Sequence, residues 1–439
     1  IRMGRFRANF TSGIMLAVVS IVTQLITVPV FLHQLGAELY GIWALLGIVM
    51  LVGRLGDLGL GDSLIRHVAL AYEHGTENYD FRSVNAYAVT GIWFAFGSGL
   101  IAFAIIVAGT ASVLSVLNIP DIYRPLATDV LPVIAFSLII FLMSTVARAV
   151  LAGLQRLDIA NYIGLIALSA QVILSVVMVL TGFGLWSLVA GALAYHGISL
   201  VALAFACWRY GRVRFWKVNR FNTKRLKQLV NMGYKLVLAR LVSLGIEPLV
   251  AISISRFVGI EEVAFFEIAR RAVVYLRQVI ASGLNAVLPR VSHLDEVGVA
   301  GSLEVAQLNK RLTRGLLLFG LPSVVVLGVG APWVFAIWLG DSYNQQISMI
   351  FQILLLPYFV NTLNISAYVT LIGWGYSGWV LSLTLIAALV LVFGLAVNML
   401  NGFSLGINGI MAAYACSLIV GAVTGLLVYR SKLAARVTE

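Results

Sequence analysis

Apolar windows of about 20 residues or more, each long enough to cross the hydrocarbon core of a bilayer, recur from one end of this sequence to the other. In lipid only helices and closed β-barrels satisfy every backbone polar group. A barrel needs short segments of alternating polarity, which the sequence lacks, so the windows read as helices. Turn and charge signals divide the chain into twelve spans, at 12–35, 39–70, 84–116, 126–153, 158–181, 184–208, 228–256, 261–289, 312–338, 345–372, 375–400 and 406–430. Several exceed one bilayer thickness, so tilt or protrusion into the cytoplasm is expected. Composition agrees, with 61% hydrophobic and 11% charged residues over a length of 439, which leaves no room for a large soluble catalytic domain. The run from Ser12 to Leu35 follows Arg2, Arg5 and Arg7 in the manner of a signal peptide. It is too long for one and has no small-residue cleavage site, so it reads as a retained first helix.

The only cysteines, Cys207 and Cys416, form neither a disulfide framework nor a metal-ligand spacing. No cofactor or metal is expected. The formal charge of +12 would suit nucleic acid in a soluble protein, but in a membrane chain Lys and Arg mark cytoplasmic loops and contacts with anionic membrane lipids. With the N-terminus inside, 20 of the 30 Lys and Arg fall on the cytoplasmic side, and only Arg124 and Arg256 outside. That asymmetry predicts an N-in, C-in chain. The longest basic stretch, residues 209–227, separates an N-lobe (1–208) from a C-lobe (228–439).

A shift of 223 residues lays Leu35–Gly41 on Val258–Ala264, matching Gly36 with Gly259 and Glu38 with Glu261, and further on Arg54 with Arg277. Two six-span repeats inserted in the same direction would produce this match, with an axis along the membrane normal and a site between the lobes.

Eight basic residues fall within spans: Arg54, Arg66, Arg148, Lys235, Arg240, Arg270, Arg271 and Arg277. Each would cost roughly 2.5–3.5 kcal/mol or more facing lipid at mid-span, so each should face a cavity, a partner or the interface. At 1.5 Å per residue, Arg54 lies about 22 Å below the outer end of its span and Arg240 about 18–20 Å above the inner end of its own. Arg270 and Arg277, about 14 and 24 Å from the outer end, stand two turns apart on one face. Arg66, Arg148 and Lys235 lie nearer the cytoplasmic surface, within reach of it by snorkelling. Asp57, Asp62, Glu247 and Glu267 are the acids available to them. Asp57 stands three residues after Arg54, and Glu267 three and four before Arg270 and Arg271, spacings that allow pairing on one helix. Eight bases against four acids leave a positive interior, and a wet cationic cavity calls for an anionic group, with guanidinium forks suited to phosphate or pyrophosphate.

Four glycines crowd the stretch GRLGDLGLGD, from Gly53 to Asp62. Gly56, Gly59 and Gly61 suit either a hinge lining a cavity or close packing of helices through small residues. Pro29 and Pro248 are expected to kink the first and seventh spans.

The stretch LHQLGAELYGIWALLGIVMLVGRLGDLGLGDSLIR, preceded by VPVFL and followed much later by NAVLPRVSHLDEVG, resembles the polysaccharide and O-antigen flippases of the multidrug/oligosaccharidyl-lipid/polysaccharide exporter superfamily. The resemblance implies a MATE-like fold of two V-shaped lobes. It further implies alternating access that carries an undecaprenyl-pyrophosphate-linked oligosaccharide across the bacterial cytoplasmic membrane, alongside other polysaccharide-assembly membrane proteins. On that reading Arg54, Arg240, Arg270 and Arg277 hold the pyrophosphate and Arg66, Arg148 and Lys235 attract it from the cytoplasmic side. Asp57, Glu247 and Glu267 are the candidates for binding a proton or sodium ion. In the related lipid II flippases arginines on helices one, two and eight matter, whereas this chain has none within its first span.

Other classes fit these residues less well, and a purely scaffolding subunit of an export machine would not explain the buried arginines. A multidrug cation antiporter of the same superfamily would want acids deep in the lobes, and spans one and three have none. A major-facilitator transporter would carry a glycine and Asp-Arg signature where this chain has AYEHGTENYDFR. A membrane polymerase or ligase needs a large outer loop and a catalytic cluster, and with short outer loops and five histidines an enzyme is not expected.

Overall fold

The computed structural model describes residues 3–57, 59–73, 81–215, 222–285, 299–374, 376–400 and 406–438. The side chains of Lys235 and Arg240, most of NAVLPRVSHLDEVG and residues 216–221 of the basic linker lie outside the described part. The described chain is helical throughout, in the order α1 (Met3–Gly53), α2 (Leu60–Glu73), α3 (Phe81–Ala108), α4 (Thr110–Val116), α5 (Arg124–Gly153), α6 (Leu157–Leu180), α7 (Trp186–Gly211), α8 (Thr223–Phe257) and α9 (Ile260–Asn285). There follow α10 (Val299–Gly315), α11 (Leu321–Leu339), α12 (Gln345–Leu363), α13 (Ile365–Gly373), α14 (Ser377–Leu400) and α15 (Gly406–Thr438).

Among the described residues, nine helical segments are long and apolar enough to cross a membrane. The described residues of the twelve windows are mostly helical, but several windows are interrupted. The second stops at Gly53, turns through a 3-10 segment at Arg54–Asp57 and resumes as α2. The third breaks at Gly109, and the ninth contains a π-helical turn, Leu316–Gly320, between α10 and α11. Pro29 and Pro248 lie inside α1 and α8.

Both glycines paired by the 223-residue shift have a positive φ. Gly36 interrupts α1 with φ 75° and ψ 167°, a combination essentially closed to side-chain-bearing residues. Gly259, its counterpart at the 223-residue shift, also has a positive φ and joins α8 to α9. A side chain at either place would strain the backbone.

Two compact units divide the chain between Leu241 and Val242, inside α8 rather than at the basic linker. The beginning of α8 is held in the first unit by Arg225, which donates to the Ser83 carbonyl and hydroxyl, and by Gln228, which accepts from Tyr87. Asn222 starts that helix, its side-chain oxygen accepting from the backbone N–H of Lys224 and Arg225.

In the first unit α5 is the central helix, packed by α2, α3 and α7 around Leu64, Val68, Leu142, Val146 and Cys207, all fully buried. Small residues set the closest approaches: a Cβ on Gly153 would lie 2.7 Å from Val68, and one on Gly53 2.3 Å from Leu138. In the second unit α12 takes the central place, packed by α9, α11 and α15. Large apolar side chains point outward on both units, Val201 72% and Ile337 85% exposed. An inside-out surface of this kind is stable only in lipid. The chain is a multi-pass membrane protein.

Candidate functional site

The cationic residues singled out from the sequence sort into three environments. In the first, charge is already neutralised. Glu267 and Arg270 sit three apart on α9, and Arg271 one further, so all three can meet over one turn. Arg270 donates from Nε and Nη2 to both Glu267 oxygens at 2.9–3.0 Å, and from Nη1 to Glu247 Oε2 on α8 at 2.8 Å. Arg271 Nε adds a bond of 2.6 Å to Glu267 Oε1. Two acids and two bases thus close a neutral cluster that clamps α8 to α9. Beside it the buried hydroxyls of Tyr358 (α12) and Tyr414 (α15) bond each other at 2.8 Å, and Phe266 packs edge-on to the Tyr414 ring.

The second environment is structural too. Arg148, on α5, donates to the Asn161 side-chain oxygen at 2.6 Å and to the Ala160 carbonyl at 3.4 Å. Asn161 passes the connection on to Ser12 of α1 at 3.1 Å. The guanidinium therefore ties α5 to α6 and, through Asn161, to α1. Arg66 is exposed on α2.

The third environment leaves cations accessible. Arg54 stands on the 3-10 turn after α1, its guanidinium 4.9 Å from the centroid of the Phe141 ring on α5, a cation–π contact that still leaves its N–H groups for a ligand. The turn is made by the glycine-rich motif. Gly59 has φ 72°, and Asp57 Oδ2 accepts from the Gly61 N–H at 3.4 Å, close to the start of α2. A Cβ on Gly56 would meet Leu142 at 3.3 Å, so the motif provides a backbone turn and close packing at once. His196, not among the residues singled out from sequence, is buried at 5.3 Å from the same Phe141 ring, with Nδ1 lacking a hydrogen-bond partner. Only its approach to Phe141, fifty-odd residues away in the chain, marks it out.

In the second unit Arg277, partly exposed on α9, makes no ion pair among the described residues. It faces a cavity of about 710 Å³ together with Arg311, Tyr358 and Thr362, and its Nε is buried without a hydrogen-bond partner. Arg311 directly precedes the ninth window, 312–338. It lies on α10, the helix that leads into the ninth span, and it lines the same cavity.

The fold is that of solved transporters of the multidrug/oligosaccharidyl-lipid/polysaccharide exporter superfamily. An inward-facing multidrug resistance MATE family transporter of that superfamily superposes with a TM-score of 0.78 at 18% identity, over 94% of this chain and 95% of the other. An outward-facing one gives 0.65 at 16% identity, over 98% and 96%. A Pyrococcus furiosus superfamily member, described as having a binding pocket of reversed polarity, gives 0.58 at 18% identity, over 94% and 95%. Residues 34–348 match the family model for polysaccharide biosynthesis proteins, and the chain belongs to that family. A Shigella flexneri protein provisionally named an O-antigen transporter is 24% identical over 334 residues, 75% of each chain.

Proposed function

We propose that this protein flips an undecaprenyl-pyrophosphate-linked oligosaccharide, an O-antigen or exopolysaccharide repeat unit, across the bacterial cytoplasmic membrane by alternating access. One observation carries the reading: within a multi-pass fold, Arg54 and Arg277 keep guanidinium groups accessible, while Arg148, Arg270 and Arg271 are engaged by protein oxygens. Leaving a cation free inside a membrane protein is costly, and an anionic substrate group offsets that cost. A lipid-linked sugar pyrophosphate needs such a path because its head group cannot cross bare hydrocarbon. Family membership and the name of the Shigella relative support the same substrate class.

Arg54 and Arg277 then receive the pyrophosphate, with Arg240 a further candidate on α8, and Arg270 positions α9 rather than binding substrate. Arg66 and Lys235 draw the head group from the cytoplasmic side of an N-in, C-in chain. Asp57, Glu247 and Glu267 are the candidates for a coupled proton or sodium ion. A cation-antiport reading would use the acids of the second unit, but Glu267 and Glu247 already bond to Arg270.

The test is translocation of radiolabelled undecaprenyl-pyrophosphate oligosaccharide in proteoliposomes. Wild type is expected to translocate it, and Arg54→Ala and Arg277→Ala to lose at least tenfold, the loss of about one charge-assisted hydrogen bond. Absence of translocation by folded wild type, with efflux of organic cations in its place, would replace the proposal by drug antiport.

A further inference from the structure

We infer that the cavity inside the second unit is the seat of the lipid end of the substrate, a prenyl pyrophosphate whose phosphates lie on Arg277 and Arg311 and whose first isoprene units lie against Leu316, Phe319 and Phe359. The inference rests on the flippase reading and deepens it, by adding Arg311 and by placing the junction of head group and tail within one unit.

Charge is the first argument. Among the described residues neither Arg277 nor Arg311 enters an ion pair, in contrast to Arg270 and Arg271 a few residues away. Arg277 Nε is buried with nothing to donate to, and a buried donor without an acceptor is destabilising unless a ligand completes it. Two guanidinium groups on one cavity match two phosphates in tandem, each taking a forked pair of hydrogen bonds.

Shape is the second. A volume of about 710 Å³ is in the range that holds a small ligand. The walls are leucine, valine and phenylalanine apart from the two arginines and the hydroxyls of Ser323, Tyr358 and Thr362. A free sugar phosphate or inorganic anion would leave that apolar wall unused, and a neutral lipid would leave the arginines unused. An anionic head directly attached to an apolar chain uses both.

The third argument comes from the backbone. The π-helical turn Leu316–Gly320 contributes Leu316, Phe319 and Gly320 to the cavity wall. Such turns cost hydrogen-bond geometry and recur at functional sites. Here the turn separates Arg311 from the apolar stretch that follows, so that one continuous helix offers a cationic end and an apolar end to the same space. Gly320 is fitted closely, since a Cβ there would stand 2.5 Å from the Phe359 ring. In an N-in chain α10 enters from the cytoplasm, which puts Arg311 at the face where a lipid-linked precursor arrives.

Binding of farnesyl pyrophosphate to the full-length protein in phosphatidylcholine nanodiscs tests the inference, with farnesol and inorganic pyrophosphate as the two half-probes. Wild type should bind farnesyl pyrophosphate at least tenfold more tightly than either half. Arg311→Gln, a change at an exposed side chain that the fold tolerates, should weaken binding about tenfold, about 1.4 kcal/mol, and Arg311→Lys should restore part of it. Arg277→Gln should act in the same direction. If both glutamine variants bind like wild type, the cavity is not the site. If phosphatidylglycerol in the nanodisc competes as strongly as farnesyl pyrophosphate, the cavity holds bilayer phospholipid and the prenyl assignment is wrong. Translocation of the lipid-linked oligosaccharide, measured on the same preparations, separates the two proposals. Wild-type translocation together with unaltered binding in both variants overturns this inference alone, and no wild-type translocation overturns the flippase reading.

Discussion

Neutralising Glu267 should destabilise the second unit far more than neutralising Glu247, although both carboxylates hold Arg270. Glu267 and Arg270 are each 15% exposed, and Glu267 receives three hydrogen bonds from Arg270 and one from Arg271. Glu267→Gln leaves two guanidinium groups facing an amide, and removing one partner of a buried ion pair costs about 3–5 kcal/mol. Glu247 is 39% exposed and receives a single bond from Arg270. Solvent and headgroup screening reduce its contribution to about 1 kcal/mol or less. The assay is reversible unfolding of the purified protein in mixed dodecylmaltoside and SDS micelles, comparing the two variants with wild type. Arg271→Gln added to Glu267→Gln should recover part of the loss, because the surviving Arg270 and Glu247 then balance. Equal destabilisation by the two single variants, or no recovery in the double, would show that the four groups do not act as one buried cluster. The same cluster predicts that Arg270→Ala lowers transport through loss of folded protein. Activity per folded molecule should fall much less than for Arg277→Ala.

Gly36→Ala should cost about 1–3 kcal/mol, read in the same unfolding assay; the cost is conformational, since no atom lies within 4 Å of where its Cβ would be. Gly191→Ala should cost a similar 1–3 kcal/mol by overpacking, because the new Cβ would fall 1.8 Å from Ser175 Oγ and 3.0 Å from the Gln171 carbonyl on α6. Gly197→Ala, one and a half turns along the same helix with open space at its Cβ, should instead be neutral or slightly stabilising. A fluorescent protein fused after Glu439 should be bright and alkaline phosphatase at the same point inactive, as the distribution of Lys and Arg requires of a C-in chain.

Much of the architecture was readable before any coordinates, because a bilayer imposes a one-dimensional rule. Every span must be apolar, about 20 residues long and helical. Two backbone turns were legible for a related reason. Gly36 and Gly259 meet a backbone demand that glycine fills most readily, so the requirement is written in residue identity. The interruptions at Arg54–Asp57 and Leu316–Gly320 were less legible. Four glycines signalled the first, but in the LLLFG sequence of the second nothing distinguishes a π turn from ordinary α-helix.

The roles of the arginines divide along the same line. Helical spacing alone paired Glu267 with Arg270 and Arg271, since i, i+3 and i, i+4 neighbours share a face whatever the helix packs against. It could not bring in Glu247, 23 residues before Arg270, which reaches that guanidinium only because α8 lies beside α9. For the same reason sequence ranked Arg270 and Arg277 together, while packing neutralises one and leaves the other on a cavity. Arg311 and His196 were missed because their significance depends on neighbours from other helices. The amino-acid sequence by itself determined the membrane-spanning helical class and the family, which follow from local hydropathy and residue type. Which cations stay free to meet an anion was decided by tertiary structure, because neutralisation depends on contacts of a few ångströms between helices remote in the chain.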